Sequence, residues 1–382
     1  MRQNLRLVLS GGGTGGHIIP NIALINELKD RFKGPDELSI LYIGGRRGME
    51  RELIAPLGIL YKEIHAGKLR RYFSWKNLLD FFKVPIGIAQ SFFILRGFKP
   101  SAVFCKGGYV CFPVAVAARM LGIPVILHES DVVPGLANKL SASFASRICV
   151  SFEESKKYFP AKRTVVTGNP IRKDLITGNV EDGRAFTGFN DRHPVILFVG
   201  GSQGAESINE LVWNNLDELL SRYQVAHICG GNRVKEPYEL QKLLKPENRP
   251  HLGRYRAFGF VGREMKDLYA LSDLIVSRAG AITLSEIGFF GKPAILIPLG
   301  REASRGDQID NAAVFAKRHD AVVLTEGGFT AEEFFNAADR LMKSGQSHKS
   351  GGGKPLMSAG NQRSFSANDK IIKILLNHEN RD

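Results

Sequence analysis

The chain has 382 residues, 43% of them hydrophobic and 24% charged, the balance of a folded soluble protein with room for two domains rather than of a disordered chain. Lys and Arg total 52 against 38 Asp and Glu, a formal net charge of +14, which points to an acidic partner: nucleic acid, an anionic membrane surface or a phosphorylated substrate. Arg2, Gln3 and Asn4 lead straight into a strand pattern, and no run of about 18 apolar residues exists to span a bilayer, so a cytoplasmic protein is expected.

In chain order, Leu5–Leu9 reads as a buried strand and is followed by Ser10-Gly-Gly-Gly-Thr-Gly-Gly-His-Ile-Ile-Pro20, after which a helix pattern runs from Ile18 to Arg31. A strand, a glycine turn and a helix start together make a site for a negatively charged oxygen. Further strands are expected at Ser39–Ile43, Tyr61–His65, Ala102–Cys105, Pro124–His128, Arg147–Val150 and Thr164–Thr167, with helical patterns in most of the gaps. That alternation predicts α/β units on a parallel sheet. The rhythm pauses from Thr167 through Arg192 and restarts at Pro194–Val199 with a second glycine turn, Gly200-Gly-Ser-Gln-Gly204. Strands near Val225–Cys229, Arg256–Phe258, Leu274–Ser277, Ala294–Pro298 and Val322–Thr325 complete a second sheet. Lys343–Asp369, rich in Gly, Ser, Lys and Asn, reads as a flexible connection before a closing helix around Ile371–Leu376. The expected domains are therefore 1–168 and 169–345, with 346–382 as connection and closing helix. Cys105, Cys111, Cys149 and Cys229 are scattered and suit buried thiols better than disulfides or a metal site.

Half of the net charge lies between Lys68 and Lys106, where Lys68, Arg70, Arg71, Lys76, Lys83, Arg96, Lys99 and Lys106 face a single acid, Asp80. The same stretch holds Tyr72, Phe73, Trp75, Phe81, Phe82, Phe92 and Phe93. Basic residues flanking large apolar side chains fit a membrane interface, and equally a core helix with a solvated basic rim.

Gly11, Gly13 and Gly16 satisfy the dinucleotide fingerprint, but the strand Ser39–Ile43 ends in Gly44-Gly-Arg-Arg47 with no acid to hold a ribose. Hydride transfer is disfavoured on that count, and no P-loop pattern is present. A better ribose site follows Leu274–Ser277, where Arg278-Ala-Gly280 opens a helix pattern and Glu286 falls about one turn in. A carboxylate there can accept from two vicinal hydroxyls while the helix amides take a phosphate. Ser202, in the second glycine turn, offers another phosphate contact.

Taken together, Gly11–His17, His128-Glu-Ser-Asp131 with Pro134–Lys139, Gly168-Asn-Pro-Ile-Arg172, Gly200–Ala205, Ser277–Ala281 through Glu286, and Asp307-Gln308 with Asn311-Ala312 closely resemble the MurG family, the N-acetylglucosaminyltransferases of peptidoglycan synthesis. The resemblance covers residues 5–325 and implies a GT-B fold, two Rossmann-like parallel-sheet domains facing across a cleft, with the first taking the acceptor and the second the sugar nucleotide. It implies transfer of N-acetylglucosamine from UDP-GlcNAc to the 4-hydroxyl of the muramoyl sugar of lipid I, giving lipid II, with inversion.

Carried over by motif, Glu286 binds the ribose, Ser202 and the amides near Ala281, Ile282, Thr283 and Leu284 the diphosphate, and Val261 the uracil region, with Ser285 also among the substrate-binding residues. Arg172 and Gln308 complete the donor site, with Thr14, Gly15 and Gly16 meeting the donor from the first domain. His17 is the leading candidate for the base, since imidazole titrates near neutral pH. A purely positioning role for His17 stays open, and Glu129 is the rival base. Tyr109 lines the acceptor side or merely packs its loop. Asp131 stands where many family members carry Asn, replacing a donor by an acceptor. No cofactor and no metal are expected, as no Asp-x-Asp pattern lies near the donor loops. The polyprenyl anchor of lipid I implies peripheral attachment at the cytoplasmic membrane face through the basic aromatic stretch, and no nucleic acid. The alternatives are another GT-B enzyme, such as a glycolipid glycosyltransferase or a UDP-GlcNAc 2-epimerase, and a basic membrane or nucleic-acid adaptor without turnover.

Overall fold

The computed structural model describes residues 5–34, 36–46, 48–67, 75–190, 192–201, 204–231, 233–301, 306–349 and 359–377, with side chains described outside 75–82, 345–349 and 359–366. The chain divides into two compact units, 1–172 with 363–382 and 173–362.

The first unit is built on β1 (Leu5–Ser10), β2 (Leu38–Gly45), β3 (Leu60–Ile64), β4 (Ala102–Cys105), β5 (Val125–Glu129), β6 (Arg147–Val150) and β7 (Thr164–Val166). All pairings are parallel, in the order β3-β2-β1-β4-β5-β6-β7. Alternate side chains of one strand enter opposite cores. Leu7, Leu9 and Phe104 pack with Leu24, Ile25 and Leu28 of the helix Gly15–Arg31, whereas Val8, Val103 and Leu127 pack with Val114 and Ala118 of the helix Cys111–Met120. Burial on both faces explains why these strands read as continuous apolar runs.

The second unit carries β8 (Val195–Val199), β9 (Gln224–Ile228), β10 (Tyr255–Phe258), β11 (Leu274–Ser277), β12 (Ala294–Leu296) and β13 (Ala321–Val323). They form a second parallel sheet in the order β10-β9-β8-β11-β12-β13. Phe334, Ala338 and Leu341 of the helix Ala331–Lys349 are buried against it, with Phe198 and Val276.

Every expected strand is present with ends shifted by no more than two residues, but two helices begin earlier than the periodicity predicts. Thr14 is extended (φ −150°, ψ 156°), so the helix starts at Gly15 and takes His17 into its first turn. Two glycines of low helix propensity conceal that start in the sequence. The last helix spans Ala359–Leu376, well inside the stretch read as flexible, because its first turns are polar and only its later residues carry an apolar pattern.

That last helix belongs to the first unit. Ile371, Ile372 and Leu375 are buried beside Leu24, Ile25 and Leu28. Asn368 accepts from Ile171 N (3.2 Å) and donates to Ile171 O (3.0 Å), fixing the chain just before the unit boundary. Ile371→Ala is expected to lower the unfolding free energy by about 2–5 kcal/mol, the range for a buried Ile truncation, as measured by chemical denaturation.

Candidate functional site

In both sheets the strand order reverses beside the first strand of the unit, between β1 and β4 and between β8 and β11. The carboxyl ends of two such neighbours border a crevice where open α/β sheets take their ligands. The glycine turns of the sequence leave these ends.

At the first reversal, Gly11–Gly13 lie against the loop of Lys106–Tyr109 after β4. Gly12 N donates to Gly107 O (3.3 Å), Lys106 N to Ser10 O (2.9 Å) and Gly13 N to Glu50 Oε1 (2.9 Å). A Cβ at Gly12 would stand 1.8 Å from Glu50 Oε1, and one at Gly108 (φ +84°) 2.1 Å from Gly12 O. The group that presses on these glycines is thus the protein itself. Gly15 and Gly16 differ: a Cβ there would meet nothing nearer than 3.7 Å, so protein packing does not demand glycine at either position.

His17 is half-buried, with Nδ1 3.1 Å from Thr14 Oγ1 and its backbone N donating to Thr14 O. Its ring also borders Gly107, whose added Cβ would lie 3.1 Å from His17 Cδ2. Tyr109 covers Gly13 with its ring edge, 2.8 Å from an added Cβ, and packs on the core through Val110 and its neighbours. Tyr42 OH donates to Gly11 O (2.8 Å) while accepting from Asn21 Nδ2 (3.1 Å), anchoring the turn from below.

Glu129 ends β5 and is 4% exposed. Oε1 accepts from Asp131 N (3.0 Å), and Oε2 accepts from Gly135 N (3.2 Å) and Asn138 Nδ2 (2.9 Å), so this carboxylate holds the 131–138 loop in shape. Burial, then the neighbouring Asp131 charge, pushes the carboxyl up to about 7 against those hydrogen bonds and Lys106. Lys106 is fully buried, donates Nζ to Ser130 Oγ, and is pushed down to about 8 by burial despite Glu129 and Asp131. This corrects its place in the basic stretch, because its ammonium serves the end of β4 rather than a surface. Burial, with Lys106 nearby, holds His128 well below the ordinary imidazole range, so a neutral ring donates Nε2–H to Gly168 O (2.9 Å). Asp131 and Arg172 are both half-buried.

At the second reversal, β8 leads into Gly200 and Gly201, and Ser202 lies outside the described residues. An added Cβ at Gly204 (φ +76°) would stand 2.2 Å from Cys229 O, so the turn hugs the neighbouring strand end. After β11, Gly280 caps the helix Ala281–Phe290 without a side-chain acceptor, and no acid occupies its first turn. Leu284 N donates to Gly280 O (2.9 Å), so among the amides of the expected cradle this one is bonded within the helix. Ser285 donates its hydroxyl to Ala281 O (2.8 Å).

Glu286 accepts from Tyr269 OH at Oε2 (2.8 Å), which fixes the carboxylate one turn into the helix. Gln308 accepts from Leu299 N at Oε1 (2.9 Å), orienting its Nε2 as the donor end. Val261 is half-buried in the loop after β10, beside Phe260, which is 76% exposed.

Several residues of these sites carry no local signal in the sequence. Glu50, Lys106, Asn138 and Tyr42 come from distant segments, as do Arg278, Ser207 and Glu326 in the second unit. Arg278 donates Nη1 to Ile297 O (3.1 Å) and Nη2 to Ser207 Oγ (3.1 Å) and Glu326 Oε1 (2.5 Å). Burial works against the Glu326 charge, but hydrogen bonds from Arg278, Ser207 and Gly300 N outweigh it and hold the carboxyl below its ordinary value.

Comparison with known proteins matches residues 7–150 to the glycosyltransferase family 28 N-terminal domain and residues 195–362 to the glycosyltransferase family 28 C-terminal domain. The chain is similar to a Clostridium botulinum (strain Langeland) protein named UDP-N-acetylglucosamine--N-acetylmuramyl-(pentapeptide) pyrophosphoryl-undecaprenol N-acetylglucosamine transferase, 45% identical over 321 residues, 84% of this chain and 86% of that one. A Legionella pneumophila (strain Paris) protein of the same name is 44% identical over 338 residues, 88% and 89% of the two chains. The crystal structure of Acinetobacter baumannii MurG superposes with a TM-score of 0.71 at 25% identity, covering 98% of this chain and 99% of that one.

The raised Glu129 carboxyl has a consequence for stability. Between its ordinary value of 4.5 and about 7 the folded chain keeps a proton that the unfolded chain releases, so its stabilising contribution falls as pH rises through that window. The difference in unfolding free energy between the parent protein and Glu129→Gln, measured from pH 5 to 8, should shift against the parent as pH rises; parallel curves would contradict this.

Proposed function

The chain belongs to glycosyltransferase family 28, and from that premise we propose that it moves N-acetylglucosamine from UDP-N-acetylglucosamine to the 4-hydroxyl of the muramoyl sugar of lipid I, yielding lipid II and UDP. The observation that carries this reading is the likeness of 84% of the chain, at 45% identity, to a protein bearing that transferase's name. The second unit supports it with a donor set suited to a nucleotide: the Glu286 carboxylate for the ribose hydroxyls, the helix start after Gly280 for the diphosphate, and Gln308 for the sugar. Val261 and Ser202 join this set by their motifs, and Arg172, which lies in the first unit, is assigned to the diphosphate by its own motif.

In one displacement the acceptor oxygen bonds to the anomeric carbon as the bond to the UDP oxygen breaks, and the electron pair leaves with UDP. Helix amides facing the departing diphosphate stabilise its developing charge. The hydroxyl proton goes to His17. In the tautomer in which Nδ1–H donates to Thr14 Oγ1, Nε2 is the nitrogen with the lone pair that takes it. Gly15 and Gly16, which packing leaves unconstrained, give substrate access to the first turn. Glu129 acts by holding the loop that carries Asp131, since three N–H groups of the chain occupy its oxygens, and Tyr109 walls the acceptor side.

The same reading assigns the chain to the cytoplasmic face of the membrane as a peripheral protein of cell-wall synthesis. Among the described residues, no helix is long and apolar enough to cross a membrane. Arg70, Arg71 and Lys76 lie outside the described side chains, but farther along the helix Trp75–Phe98 the side chains of Ile86 and Phe93 are 49% and 71% exposed, with Lys83 and Arg96 also exposed. Apolar groups beside cations suit an anionic lipid interface.

Release of UDP should require lipid I, and UDP-N-acetylglucosamine alone should give no epimer; epimer formation would favour the epimerase reading. His17→Ala should lower kcat by about 10²–10⁴-fold, the usual worth of a general base, and near-normal turnover would leave His17 a positioning group only. Charge reversal at Arg70, Arg71 and Lys76 should abolish sedimentation with anionic vesicles while sparing turnover of a short-chain soluble acceptor. Equal loss of both would count against membrane docking.

A further inference from the structure

The second unit holds a charged pair that no step of the transfer uses. Arg278 follows β11, and Glu326 follows β13; their side chains are 15% and 25% exposed and meet at 2.5 Å. The guanidinium reaches Ser207 Oγ, in the first turn of the helix Glu206–Asn214, and Ile297 O, beyond β12. Ser207 Oγ in turn donates to Glu326 Oε1 (2.7 Å), while Oε2 accepts from Gly300 N (3.2 Å). Four segments leaving the carboxyl edge of one sheet, after β8, β11, β12 and β13, are thus joined through one guanidinium and one carboxylate.

These segments flank the expected diphosphate site. Arg278 lies three residues before Ala281, where the helix Ala281–Phe290 begins, and Ser207 lies three residues beyond Gly204 in the second glycine turn. The Leu299 N–H beside Gly300 is the group that orients Gln308. The Arg278 hydrogen bonds named here all run inward to protein acceptors, so its fork acts on the loops that bear the binding groups.

We propose that Arg278 and Glu326 form a positioning clamp that fixes the amides after β11 relative to the turn after β8, so that the site meets a nucleoside diphosphate already ordered. This rests on the donor role proposed for residues 281–286. Ordering before binding removes an entropic cost that the ligand's contacts must otherwise offset. The clamp therefore selects for the phosphates and leaves nucleoside recognition, carried by Glu286 and the loop of Val261, largely untouched. An ordinary structural ion pair would affect both ligands alike.

The test titrates UDP and uridine separately into the full-length parent protein, Arg278→Lys, Arg278→Met, Glu326→Gln and the Arg278→Met/Glu326→Gln double variant, with thermal midpoints read on the same samples. UDP affinity should fall about tenfold in Arg278→Met and in Glu326→Gln, and by little more in the double variant, because the two side chains act as one unit. Arg278→Lys, which keeps the charge but loses the fork, should fall between parent and Arg278→Met. Uridine affinity should change by less than about twofold across the set. Glu286→Gln, in contrast, should weaken both ligands. Equal losses for UDP and uridine, unchanged UDP binding, or additive losses in the double variant would overturn the clamp. If the parent binds neither ligand, the donor reading fails and takes the clamp with it; if the parent favours UDP and the variants keep that preference, the clamp alone fails. Should Arg278→Met not fold, Arg278→Lys and Glu326→Gln carry the same comparison.

Discussion

A parallel sheet whose connections turn to opposite sides leaves one crevice, between two neighbouring strand ends, and only bare backbone fits where the segments beyond those strands meet. In the first unit this constraint governs the whole carboxyl edge. Gly12 and Gly108 approach so closely that a single Cβ on either would overlap the other loop or Glu50. The turn after β1 and the turn after β4 are thereby locked together, and the helix carrying His17 starts from a fixed point.

The two units solve the same topological problem with different chemistry. In the first, protein groups fill the crevice: Glu50, Tyr109, the buried Lys106 and the Glu129 hub close it from below and the side. Two ionisable groups without solvent, Lys106 and Glu129, are moved toward neutrality from opposite directions, as burial of paired charges requires. In the second, a glycine, Gly280, takes the N-cap position of the helix after β11, while Arg278 and Glu326 join the segments around it.

Buried polar groups away from these edges do other work. His227, between Tyr255 OH and Asn209 Oδ1 at 2.9 Å each, is held down to about 3 by burial, and Asn209 passes the network on to Cys229 O. This neutral imidazole ties β9 and β10 to the helix after β8. It illustrates how a histidine in an apolar strand is satisfied entirely by the core, whereas His17 is half-buried in the first turn of a helix beside Thr14.

The sequence by itself determined the strands, the two-sheet organisation and the family. Full burial on both faces writes each strand as an uninterrupted apolar run such as Val195–Val199, and backbone crowding writes Gly108 and Gly204 into the turns at the strand ends. Residues whose placement depends on their own backbone neighbourhood, such as Glu286 in the helix after β11 and His17 after the first glycine turn, were legible as candidates for the same reason. What only the tertiary structure decided involves partners far apart in the chain. Lys106 looks like one more cation in a basic stretch until β4 carries it beneath the first turn to Ser130; Glu50 looks like a surface acid until it accepts from Gly13 N. Glu129 accepts from three N–H groups of residues 131, 135 and 138, and Asn368 looks like part of a flexible tail until it pairs with Ile171, 197 positions away. Local propensity and periodicity report which face a residue buries, but a hydrogen bond or a charge is satisfied by whatever the fold brings within about 3 Å, and no local pattern encodes that.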